Sequence, residues 1–90
     1  MVSRPVTVAN VLGLHARAAA RFVHTAGTYA ARVRVTRDGR EMDGKSILGL
    51  LLLAASRGTV ITITTDGPDE QAALDALVSL VEGGFGEPCV

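Results

Sequence analysis

The 90-residue chain is 48% hydrophobic and 20% charged, with nine basic and nine acidic side chains that cancel. That is the composition of one small globular domain, residues 1–90, and not of a disordered tail. Aromatics make up only 3%, without tryptophan, so base-stacking platforms lack their material, and zero net charge argues against a general polyanion binder. A single cysteine, Cys89, has no internal disulfide partner, and no apolar run approaches the roughly 20 residues of a membrane span. A cytoplasmic protein is expected, with neither membrane nor nucleic acid as partner.

In chain order, Pro5–Ala9 alternates like a half-buried strand. Asn10 to Gly13 reads as a loop. Ala19, Phe22, Val23 and Ala26 then repeat at i, i+3, i+4, i+7, which predicts a helix over Ala16–Ala26 stopped by Gly27. Ala31, Val33 and Val35 alternate with polar residues as a second strand, and Asp38-Gly39 is a two-residue hairpin turn leading to a short return strand, Arg40–Asp43. The apolar run Ile47–Ala55 is too rich in leucine and alanine for a strand and predicts a helix capped by Ser46. Val60–Thr65 is β-branched throughout, a further strand. Asp66-Gly67-Pro68-Asp69-Glu70 opens a last helix, in which Leu74, Leu77, Val78 and Val81 form a stripe that Gly83-Gly84 ends. The segment from Phe85 to Val90 reads as irregular. The order βαββαβα with a tight hairpin predicts an α+β domain, an antiparallel sheet covered by helices on one face.

The zero net charge hides an asymmetry. Residues 1–57 carry nine bases against three acids (+6), and residues 58–90 carry six acids and no base (−6). Two readings stand: solvated faces that happen to differ, or a basic face that steers an acidic partner or a phosphate.

Two stretches invite a phosphate. Gly39-Arg40-Glu41-Met42-Asp43-Gly44-Lys45-Ser46 matches the P-loop pattern, but its first glycine belongs to a hairpin and Glu41 and Asp43 would bring negative charge into the cradle. The match is read as coincidental. Gly13-Leu14-His15-Ala16-Arg17 places His15 where a helix begins. The first amides of a helix lack intrahelical partners and attract an anion. A neutral imidazole nitrogen there is a nucleophile, and a phosphoryl group on it would meet backbone amides, including that of Ala16, and the Arg17 guanidinium. The alternative is a histidine acting only as a helix cap. His24, off the apolar stripe, reads as a surface residue, and no metal-ligand spacing is present.

The helix after Ser46 is apolar on every side, and so small a domain cannot bury all of it. Exposed leucines would form a docking surface, or else are scattered surface residues. Ser46 is explained as a cap; a phosphate on it would set charge beside apolar surface and oppose docking.

These residues resemble a known family. Gly13-Leu14-His15-Ala16-Arg17 is similar to the active-site signature of HPr, the histidine-containing phosphocarrier family of the bacterial phosphoenolpyruvate-dependent phosphotransferase system. Gly44-Lys45-Ser46-Ile47-Leu48-Gly49 resembles its second signature, around a regulatory serine. The likeness runs through residues 3–87 without an obvious gap.

The resemblance implies an open-faced β-sandwich, a four-stranded antiparallel sheet with three helices on one face. It implies that His15 accepts a phosphoryl group from phosphorylated enzyme I at Nδ1, assisted by Arg17, and passes it to an enzyme IIA domain without a cofactor. The protein is then a substrate of transferases and not itself an enzyme. Docking is implied at Ala20, Ile47, Leu48 and Leu51, and a kinase/phosphorylase in many relatives modifies the position of Ser46. Ala18 departs from the family's usual proline, which should loosen the helix start somewhat without removing donors. The Ser46 stretch looks more like proteobacterial and nitrogen-branch relatives than like the Gram-positive sugar-transport type. A regulatory module reporting metabolic state is the rival reading, and a small RNA-binding domain is disfavoured by composition. A monomer is expected, because no coiled-coil repeat or long bare strand edge is evident.

Overall fold

The computed structural model describes residues 1–87. Its elements are β1 (Val2–Thr7), α1 (Ala16–Gly27), β2 (Arg32–Arg37), β3 (Arg40–Asp43), α2 (Ile47–Leu52), β4 (Val60–Asp66) and α3 (Glu70–Glu82), followed by a 3₁₀ turn at Gly84–Gly86. The four strands form one antiparallel sheet in the order β1-β4-β2-β3. One face is open. The other carries the three helices, which is the expected α+β open-faced sandwich.

The pleat decides the faces. Val6 pairs with Ile61, and Val35 with Ile63, so these side chains share the covered face and are buried. Thr62 and Thr64 alternate to the open face opposite Thr36 and Arg34. Thr65 points inward, and its hydroxyl donates to the Glu70 carbonyl at 2.8 Å, so no buried polar group is left unpaired there. Pro5 lies on β1, an edge strand, where a missing N–H is tolerated.

Helix α1 buries Ala18, Ala19, Phe22 and Ala26. Val23, expected in the stripe, is half-buried and Ala18 takes its place inside. Phe22, Leu50, Leu77, Val81 and Phe85 fill the space between helices and sheet, each contributing about 1.5–3 kcal/mol by burial. The hairpin turn is as expected: Asp38 and Gly39 both have positive φ, 48° and 80°.

Several boundaries differ from expectation for tertiary reasons. The first strand begins at Val2, which pairs with Thr65, and ends at Thr7, which pairs with Val60 where β4 begins. Helix α2 stops at Leu52 and not at Ala55. Arg37 Nη1 donates to the carbonyls of Leu53 (2.7 Å) and Ala54 (3.0 Å), Arg40 donates to that of Leu52 (3.3 Å), and Ala54 turns to φ 52°. Helix α3 starts at Glu70 because Asp69 turns its carboxylate away, accepting the N–H groups of Ala30 and Ala31, each at 2.8 Å. The segment read as irregular contains the 3₁₀ turn, with Phe85 fully buried at φ 58°. Cys89 lies outside the described residues.

Candidate functional site

The site is built on the loop between β1 and α1. Asn10 is fully buried, and its Nδ2 donates to the Gly13 carbonyl at 2.7 Å. Gly13 has φ 67°, and a Cβ there would stand 2.5 Å from the Ala55 carbonyl oxygen, so only glycine fits. Leu14 then donates its N–H to that same Ala55 oxygen at 2.8 Å, tying the loop to the chain just after α2.

These contacts deliver His15 to the N-cap of α1, with extended backbone at φ −79° and ψ 178°. Its carbonyl accepts the N–H of Ala19 at 2.9 Å, the first bond of the helix, while Nδ1 accepts the N–H of Arg17 at 3.3 Å. The ring is therefore a cap in fact. Among the described residues no backbone carbonyl accepts the Arg17 N–H, so the cap is made by the very nitrogen that would take an electrophile. The side chain remains 26% exposed, and Arg17, Ala20, Arg21 and His24 lie exposed along the same helix. A shallow depression beside them is lined by Arg17, Ala20, Arg21, His24, Thr25 and Leu80.

The other ring nitrogen is also engaged. Nε2 lies 2.9 Å from Glu87 Oε2 and 3.2 Å from Oε1, and Glu87 Oε1 accepts from Asn10 Nδ2 at 2.9 Å. The hydrogen bond from Asn10 is the main influence that holds the Glu87 carboxyl below its usual range; burial opposes it, and His15 and Arg17 add to it.

The second motif is resolved by close packing. Gly44 donates its N–H to the Val33 carbonyl at 2.7 Å, and a Cβ on it would lie 2.4 Å from Val33 Cγ1. Asp43 accepts the Lys45 N–H at 2.9 Å, and Lys45 Nζ donates to the Tyr29 carbonyl at 2.9 Å. The glycine and lysine are thus used to seat the turn on β2, and the P-loop match is indeed coincidental. Ser46 caps α2, its Oγ accepting the Gly49 N–H at 3.1 Å. Leu50 and Leu53 point inward, whereas Ile47, Leu48, Leu51 and Leu52 are exposed, Leu48 at 67%.

A family model described as the PTS HPr component phosphorylation site matches residues 2–83. The chain is 49% identical over 87 residues to the phosphocarrier protein HPr of Cupriavidus necator, covering 97% of this chain and 98% of that protein. The chain belongs to the HPr family. A crystal structure of HPr from Thermoanaerobacter tengcongensis superposes with a TM-score of 0.94 at 40% identity, over 98% of this chain and 99% of that one. A dimer of HPr from that organism matches with a TM-score of 0.77 at 40% identity, over 97% and 100% of the two chains. HPr proteins are the phosphocarriers of the phosphotransferase system.

The helix opens at Ala16, with Ala18 buried in its first turn. Two acids of the last third of the chain contact its first part: Glu87 meets His15, and Asp69 accepts the N–H groups of Ala30 and Ala31 just before β2. Sequence reading missed Asn10 and Glu87. Asn10 stood in an unremarkable loop, and Glu87 is 72 residues from the ring it contacts, so no local pattern joins them. Among the described residues no three His, Cys, Asp or Glu side chains are placed to hold a metal ion, and no helix is long and apolar enough to cross a membrane.

Proposed function

We propose that this protein accepts a phosphoryl group on Nδ1 of His15 from phosphorylated enzyme I and passes it to an enzyme IIA domain. The observation that carries the reading is the position of the ring. A partly exposed imidazole caps a twelve-residue helix, with Nδ1 directed at the Arg17 N–H. In the acceptance step the Nδ1 lone pair forms the new N–P bond, the donor's bond to phosphorus breaks, and the electron pair returns to the donor. The incoming oxygens gain the N–H groups of the first turn, those of Ala16 and Arg17, together with the Arg17 guanidinium. Donation to the next protein is the same step reversed. The carrier is a substrate of both transferases and has no turnover of its own.

Partners dock on the exposed Ala20, Ile47, Leu48 and Leu51, which leaves the histidine open to each in turn. A cytoplasmic monomer suits that succession. Ser46 is a regulatory phosphorylation site for a kinase/phosphorylase: a phosphate on its Oγ would stand at the start of α2 and set a dianion beside Ile47 and Leu48, opposing apolar docking. The direct test is incubation with phosphoenolpyruvate and enzyme I, which should give an acid-labile, base-stable phosphoprotein. Undiminished labelling of His15→Ala would reject His15 as the acceptor.

A further inference from the structure

We propose that Arg37 is a positioning residue for His15: from the β2–β3 hairpin it fixes the turn after α2, and through Ala55 the loop that presents the ring. The consequence for transfer rests on the phosphocarrier reading; the geometry does not. Arg37 Nη1 uses its two hydrogens on successive carbonyls, those of Leu53 (2.7 Å) and Ala54 (3.0 Å). The Asp38 carboxylate stands farther off, with Oδ2 3.6 Å from Nε, and that Nε is buried without a hydrogen bond among the described residues. The backbone, not the neighbouring acid, therefore sets the direction of the guanidinium.

The turn that it grips needs holding. The last carbonyls of a helix have no intrahelical partners, and no glycine closes α2. Ala54 instead takes the left-handed conformation, φ 52°, that a Cβ disfavours. Arg40 adds a bond to the Leu52 carbonyl at 3.3 Å, so three successive carbonyls meet guanidinium groups. Ala55 comes next, and its carbonyl accepts the Leu14 N–H at 2.8 Å. Leu14 immediately precedes the histidine. From guanidinium to ring the path runs through Ala54, Ala55, Leu14 and His15, each step a hydrogen bond or a stretch of main chain. A shift of Ala55 moves Leu14 and with it the aim of Nδ1 at the Arg17 N–H. Misplacement of that kind slows a reaction without touching a reacting group.

Arg37→Met removes the donors and keeps the apolar stem, whereas Arg37→Lys keeps a cation able to bond both carbonyls. Amide hydrogen exchange is read at Leu14 and, as the reference, at Ile63 in β4. Transfer from enzyme I is read as kcat and KM with the carrier as substrate. Arg37→Met should speed exchange at Leu14 on the order of tenfold relative to Ile63. It should also lower kcat about threefold or more, and Arg37→Lys should recover most of both. Native exchange at Leu14 overturns the proposal. So does a change in KM alone, which would mark a charge felt by the partner. The native protein adds a test that needs no folded variant: the Arg37 guanidinium should give separate, slowly exchanging Nη proton signals, unlike the exposed Arg32. Averaged Arg37 signals overturn the proposal too. If enzyme I does not phosphorylate even the native protein, the phosphocarrier reading fails while Leu14 exchange still decides whether Arg37 holds the loop.

Discussion

Gly13 and Ala55 lie in contact: the space that a Cβ on Gly13 would need is held by the Ala55 carbonyl oxygen, 2.5 Å away. That oxygen also receives the Leu14 N–H. The loop that presents His15 is therefore fastened to the chain emerging from α2.

Gly13→Ala should consequently lose about 2–4 kcal/mol, from the positive φ and the backbone clash together. Urea unfolding measures the loss. A variant as stable as the native protein would show that the loop can move away from Ala55 at little cost.

Ser46 has two separable roles. Ser46→Ala removes the cap on Gly49 and should cost about 1 kcal/mol in the same unfolding measurement. Ser46→Asp keeps an acceptor at the cap but places charge beside Ile47 and Leu48, so it should weaken enzyme I binding in a calorimetric titration. Equal affinity of Ser46→Asp and native protein would remove the regulatory role assigned to Ser46.

Adjacent leucines of α2 should behave oppositely. Leu50 is fully buried, and Leu50→Ala should cost about 2–5 kcal/mol of stability. Leu48 is largely exposed, and Leu48→Glu should leave stability within about 0.5 kcal/mol while reducing enzyme I affinity. Unaltered affinity would take Leu48 out of the docking surface.

Acid stability follows from two carboxyls. Asp69 is held below its ordinary 3.8, chiefly by the Ala30 N–H with Ala31 adding to it, and Glu87 below its ordinary 4.5, chiefly by Asn10. In each case the unfolded chain binds the proton more readily than the folded one. Their stabilisation is thus fully present above those ordinary values and is lost as pH falls through the lower folded ones. Urea midpoints recorded at stepped pH should fall on the acid side, and Asp69→Asn should flatten that fall. An unchanged acid limb in the variant would contradict this assignment.

Local signals were sufficient wherever a local rule decides the outcome. The Asp38-Gly39 turn, the strand alternation of Ala31, Val33 and Val35 and the β-branched run of β4 were all legible, and together they gave the α+β architecture. The helix ends were less so. Leucine and alanine favour continuing α2, and it is Arg37 and Arg40 on the neighbouring hairpin that close it at Leu52. Asp69 looked like a helix opener by position, but its carboxylate holds the backbone of Ala30 and Ala31, just before β2, instead. Half of the candidate site was readable from the His15 and Arg17 spacing. The other half, Asn10 and Glu87, depends on the chain's end folding back onto α1, a contact that periodicity does not encode.

The identity of the phosphorylated atom tests the account most directly. After transfer from enzyme I to 15N-histidine-labelled protein, coupling between phosphorus and the ring nitrogens reports which of them carries the phosphoryl group. The account predicts a single phosphohistidine at His15, bonded through Nδ1. A bond through Nε2, or a phosphoryl group on any other side chain, would contradict it.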